Sequence, residues 1–260
     1  MPHDALDALH VERRPAGVLL MTMNRPNRRN AVDQSLADAL ARAMSRLEHE
    51  EGLRVGILTG AEGTFSAGTD LALEASPSTT DGGEYGFVRR TRTRPLVAAV
   101  EGFALGGGME MVLACDLVVA AEDAQLGLPE TLRGVVANCG ALFRAPERLG
   151  PQVATELLLT GARLDAPRAH QLGLVNRLTP SGAALDGALA LAEEVLRAGP
   201  VAVGVTMQAL FRSRARREQD QWAITEDAAA TVSGSEERAE GIAAFFEKRP
   251  PAWTAEAVQA

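Results

Sequence analysis

The chain has 260 residues, 46% hydrophobic and 23% charged, the make-up of an ordinary globular protein with room for one large domain or a domain plus a helical appendage. Its net charge of -8 disfavours nonspecific binding to nucleic acid or an anionic membrane, although Arg28 and Arg29, and Arg89, Arg90, Arg92 and Arg94, are candidates for a local basic mouth around an anionic ligand. Two cysteines, Cys115 and Cys139, and four scattered histidines supply neither a disulfide framework nor metal-ligand spacing, so metal catalysis is not expected.

The opening MPHDALDALHVERR holds no long apolar stretch, the ending WTAEAVQA no lipidation signal, and no apolar run nears membrane-spanning length, so a reducing, cytoplasmic setting is expected. Val18 to Met23 reads as a buried strand leaving through Asn24, Arg25 and Pro26. Leu36, Leu40, Ala43 and Leu47 recur at helical spacing between Ser35 and Glu50. Val55 to Thr59 reads as a second strand, followed by glycine-containing loops, of which Ser76 to Gly83 is expected to be mobile. Leu96 to Val100 and Leu117 to Ala121 are a third and fourth strand. From Pro151 the pattern turns helical, and after Gly199 it stays helical to Arg249. This predicts an α/β core over residues 1–198 and a helical region over 199–260, with no repeat of fixed period.

Between the third and fourth strands lies ALGGGMEMVLACD, a helix opened by three glycines and carrying a glutamate in apolar company. The run is neither GxGxxG nor a phosphate loop. Its amides at a helix start can hold an oxygen that becomes negative during a reaction, or the glycines serve close helix–sheet packing. Glu110 is expected to have its pKa raised by desolvation against the positive end of its helix, unless it only complements the dipole. Glu130 follows Pro129 at a helix start and is either structural or a second acid–base group. Gly68 permits a turn that would expose the Thr69 amide. Ser66 lacks the context of a nucleophile, and Cys139 reads as a packed core thiol rather than a reactive one.

NRPNRRNAV (24–32), FSAGTDL (65–71), ALGGGMEMVLACDLVVAAEDAQLGLPE (104–130), LTGARLDAPRAHQLGLVNRL and FFEKRPPAW resemble, in order and over nearly the full length, the crotonase or enoyl-CoA hydratase/isomerase superfamily. The resemblance implies a superhelix of ββα units with C-terminal helices that build trimers, usually paired into hexamers. It implies an acyl-CoA thioester substrate and no separate cofactor. Carried over, the oxyanion hole is the backbone amides of Thr69 and Gly107, and Glu110 and Glu130 match the two catalytic glutamates of the hydratases. Arg28, Arg29, Ala31, Ala67, Asp70 and Leu71 fall on the CoA and pantetheine groove, and Lys248 where a neighbouring subunit reaches the nucleotide end. The chain departs from the hydratase pattern after the second glutamate, with Ala137 for a proline and Asn138 for a glycine whose amide seats the water. Asn138 then either replaces that amide or hydrogen-bonds a polar acyl group. An enoyl-CoA hydratase is expected; an isomerase or another crotonase-type lyase or hydrolase, and a non-catalytic acyl-CoA binder, are the alternatives. The segment from Leu73 to Arg90 is expected to shape the acyl pocket.

Overall fold

A computed structural model describes residues 8–73 and 75–254. The terminal stretches read for targeting signals lie largely outside this range, as does Glu74. In chain order the elements are β1 (Leu9–Arg14), β2 (Val18–Met23), α1 (Gln34–His49), β3 (Val55–Gly60), β4 (Ser78–Thr79), β5 (Gly83–Glu84), β6 (Leu96–Val100), β7 (Phe103–Leu105), α2 (Gly107–Ala114), β8 (Leu117–Ala121) and β9 (Gln125–Gly127). There follow α3 (Ala141–Leu149), α4 (Pro151–Thr160), β10 (Arg163–Asp165), α5 (Ala166–Gln171), β11 (Arg177–Thr179), α6 (Ala184–Leu196), α7 (Pro200–Ser233) and α8 (Glu236–Glu247).

Six strands form one sheet in the order β1-β2-β3-β6-β8-β11, parallel except for the β1–β2 pair. Val55, Ile57, Val97, Ala99 and Val119 pack on α6 from one side, while Leu58, Ala98, Val100, Val118 and Ala120 face the main core with α1 and α2. Burial on both faces is why these strands read as unbroken apolar runs rather than alternating ones. A second sheet, β10-β9-β7, stands beside the first. Successive units β6–β7–α2 and β8–β9–α3 place their first strand in the large sheet and their second in the small one, giving the crotonase fold's ββα repeat. At the β7–α2 junction the turn leaves the small sheet directly into the glycine-opened helix.

Two expectations are corrected. The stretch after Pro151 is not purely helical, because Arg163–Asp165 and Arg177–Thr179 are strands added to the edges of the two sheets. Ser76 to Gly83, read as a mobile loop, contains part of the β4–β5 ladder, in which Ser78 pairs with Glu84 and Thr79 with Gly83. Tyr85 and Phe87, just beyond it, are buried in the core. α8 lies directly on the turn that carries Glu130: a Cβ on Gly134 would stand 2.3 Å from the Glu237 carbonyl oxygen, and one on Gly241 2.3 Å from that of Arg133. That backbone-to-backbone contact ties the C-terminal helices to the site.

Candidate active site

The glycine run answers to two demands at once. Gly106 holds φ 56° and ψ -125°, a conformation that favours glycine. Gly107 and Gly108 are demanded by packing, since a Cβ would meet the Tyr85 hydroxyl at 2.1 Å and the Ser66 carbonyl oxygen at 2.3 Å. A Cβ on Gly106 would instead point at the Glu130 carboxylate, 3.4 Å from Oε1. The packing reading thus accounts for two of the glycines, while the first faces the site.

The loop around Gly68 presses on the start of α2. Gly68, at φ 95°, has room for no side chain, because a Cβ would lie 2.7 Å from the Gly107 nitrogen. Val32 N–H donates to the Gly68 carbonyl (2.8 Å) and Asp70 N–H to that of Val32 (3.0 Å), which leaves the Thr69 amide turned the other way. The Ser66 hydroxyl donates to the Asn30 carbonyl and accepts from Gly68 N–H, a bracing role and not a nucleophilic one. Among the described residues neither the Thr69 nor the Gly107 amide donates to a protein acceptor, and both residues line the same cavity. Gly107 is the first residue of α2, where an amide has no intrahelical partner.

Glu110, 2% exposed, sits one turn into α2. Its Oε1 accepts from the backbone N–H of Cys139 (2.8 Å) and of Ala141 (3.0 Å), the latter opening α3. Burial raises its pKa to about 7, and these two amides pull in the other direction. Glu130 precedes a 3-10 turn, Thr131–Arg133. Both its carboxylate oxygens are buried and have no hydrogen-bond partner among the described residues. Burial, and then the neighbouring Glu110 charge, lift its pKa to about 8. Burial and mutual repulsion thus favour one shared proton on the pair, and the amides on Glu110 favour its ionised form. Cys139 contributes its amide, while its thiol is buried and its pKa is pushed up by desolvation.

These groups line a cavity of about 580 Å³. Arg28, Arg29, Ala31, Ala67, Asp70, Leu71 and Asn138 line it too, so the structure brings eleven of the twelve sequence-selected residues to one place. Lys248 is the exception: it caps α8 at φ 55°, is exposed, and does not line this chain's cavity. The Asp70 carboxylate lies 3.3 Å from Arg25 Nη2, which also lies 3.0 Å from Asp33, so it braces the loop. The second proposed basic mouth is corrected. Arg92 is 1% exposed and paired with Asp116, Arg94 donates to the Leu47 and Glu50 carbonyls, Arg90 reaches Ser45, and Arg89 pairs with Glu84 and Glu226. None of the four lines the cavity. Its further cations are Arg133, Arg163 and Arg238, and α7 and α8 supply part of the wall through Ala229, Ile242 and Phe245. Tyr85 and Ser76 are lining residues that the sequence-selected set does not contain. Among the described residues no cluster of three His, Cys, Asp or Glu side chains could hold a metal ion, and no helix is long and apolar enough to cross a membrane.

A ββα fold with two buried carboxylates beside two amides that lack a protein acceptor is the site that the family resemblance implies, and sequence comparison agrees. The enoyl-CoA hydratase/isomerase family model matches residues 13–256, and the chain belongs to that family, within the crotonase superfamily. It is 37% identical over 245 residues to mevalonyl-coenzyme A hydratase of Aspergillus fumigatus, covering 91% of each chain. It is 35% identical over 259 residues to carnitinyl-CoA dehydratase of Citrobacter koseri, covering 95% of this chain and 98% of the relative. Among solved structures, a carnitinyl-CoA dehydratase from Mycobacterium avium 104 superposes with a TM-score of 0.89 at 39% identity, covering 95% of this chain and 99% of the other. The protein is an enzyme of this family.

Proposed function

We propose that the protein is an enoyl-CoA hydratase, adding water across the 2,3 double bond of an enoyl-CoA thioester. The observation that carries this reading is the pair Glu110 and Glu130: both are buried carboxyls with raised pKa values, and two main-chain amides hold Glu110. An isomerase needs only one proton shuttle, whereas hydration uses an ionised base and a protonated acid together. The Thr69 and Gly107 amides donate to the thioester oxygen. A water lies between the carboxylates. Glu110 takes its proton as its oxygen bonds to Cβ, the π electrons move onto the thioester oxygen, and Glu130 delivers a proton to Cα as the thioester carbonyl reforms. The proton then returns from Glu110 to Glu130 through solvent.

Arg28 and Arg29 suit the phosphates of CoA, while Ala31, Ala67, Asp70 and Leu71 flank the path of its pantetheine arm. Exposed Val201, Val205 and Ile224 on α7 and Phe246 on α8 support packing of copies into a trimer or hexamer, with Lys248 of a neighbouring copy at the nucleotide end. A reducing, cytoplasmic setting suits two free, buried cysteines.

Turnover of an enoyl-CoA panel, followed by loss of conjugated absorbance and by product mass, tests the reading. A gain of one water that disappears in both Glu110→Gln and Glu130→Gln supports it. A double bond that moves without a mass change, or thioesters bound and returned unchanged, overturns it. With Glu110 ionised and Glu130 protonated in the active form, kcat/KM in the hydration direction should rise through about pH 7 and fall above about pH 8.

A further inference from the structure

One wall of the cavity is a continuous chain of neutral hydrogen-bonding side chains. The Tyr85 hydroxyl lies 2.7 Å from Thr69 Oγ1, Thr69 Oγ1 lies 3.5 Å from Ser76 Oγ, and Ser76 Oγ donates to Asn138 Oδ1 at 3.1 Å. All four residues line the cavity. Asn138 immediately precedes Cys139, whose amide holds Glu110, so this wall runs from the Thr69 amide to the side of the site that Glu110 serves. The four groups do not exhaust one another's capacity. Asn138 Nδ2 donates to no acceptor among the described residues, while its Oδ1 accepts from Ser76 Oγ and from the Cys139 thiol at 3.3 Å.

A hydrocarbon chain laid against this wall would strip water from the amide and hydroxyls and return no hydrogen bond. A carboxylate-bearing chain would face Glu110 and Glu130, and an ammonium could accept nothing from Asn138 Nδ2. Resting on the acyl-thioester reading above, we infer that the preferred substrate is an acyl-CoA whose chain carries a neutral hydroxyl group close to the reacting carbons, received by Asn138 and Ser76. These two residues set acyl specificity. Such sites reject an analogue that lacks the hydroxyl, because their own polar groups are then left unpaired.

The test separates binding from chemistry. Affinities of the saturated thioesters butanoyl-CoA and 4-hydroxybutanoyl-CoA are measured for the full-length protein and for Asn138→Leu and Ser76→Ala, with thermal melts as a check on folding. The hydroxylated ester should bind about tenfold more tightly, and each variant that keeps its fold should lose that preference. Equal affinities for the two esters, or a preference unaltered in both variants, overturns the inference. Turnover of the corresponding 2-enoyl esters is read separately: a hydroxyl preference in binding without hydration leaves the specificity standing and removes the hydratase. Hydration of both esters with equal kcat/KM and equal affinity does the reverse.

Discussion

Glu110 and Glu130 reach the same cavity from two regions built in opposite ways. Glu110 stands on a helix, enclosed on every side, with one carboxylate oxygen clasped by two backbone amides from the loop and helix start at 139–141. Glu130 stands at the head of a single short turn held from behind by α8, and its carboxylate is buried without any donor. Desolvation raises both pKa values, and the Cys139 and Ala141 amides offset part of the rise at Glu110. A difference in hydrogen bonding to the main chain, and not in residue type, thus underlies the proposed division into base and acid.

The largest expected effect comes from erasing either side. Glu110→Gln or Glu130→Gln should lower kcat for hydration by about 10²–10⁴-fold, measured at saturating enoyl-CoA. Loss in only one of the two would break the comparison. Next is stability. Glu130 has a folded-state pKa above its unfolded value, so the stability it contributes is fully present below about pH 4.5 and is lost as pH rises through about 8. Glu130→Gln should therefore be more stable than the parent at pH 8, by about 2–4 kcal/mol, with the gain vanishing below pH 4.5 in denaturant titrations. Glu110→Gln should gain less, because it also gives up two charge-assisted bonds.

A finer change makes one region imitate the other. Ala141 is the first residue of α3, where proline is tolerated, so Ala141→Pro removes one donor to Glu110 while leaving its carboxylate in place. The acidic limb of the kcat/KM profile should then move up by about one pH unit. An unmoved limb, with a normal melt, would show that the amide does not set the acidity. The smallest effect is expected at Tyr85→Phe, which removes the hydroxyl that meets Thr69 Oγ1 and should cost about 1 kcal/mol of stability in denaturant melts.

Much of the frame was legible because burial writes itself into long apolar runs. Val18–Met23, Leu96–Val100 and Leu117–Ala121 are buried on two faces, and α1 shows its one apolar stripe. The three-residue strands β7, β9, β10 and β11 were not legible, since three residues carry no period. This also hides the repeat, whose second strand is the short one. The carboxylates stood out as charges in apolar or post-proline settings, whereas the Arg89–Arg94 cluster misled. Charge density in sequence does not say which way a side chain turns, and these arginines turn to carbonyls and to Asp116. Arg133, Arg163 and Arg238 come from separated segments that only the fold brings together. Tyr85 has no local mark at all; its place is set by the space left beside Gly107.

The clasp on Glu110 has a consequence for how such a site changes over generations. Its two main-chain donors are the amides of Cys139 and Ala141, so the side chain of Asn138, which lines the cavity, does not enter the grip. Replacement of the Asn138 side chain leaves both amides on Glu110 in place while altering the surface shown to the cavity. Selectivity and reactivity are thereby inherited as separable traits from one stretch of polypeptide.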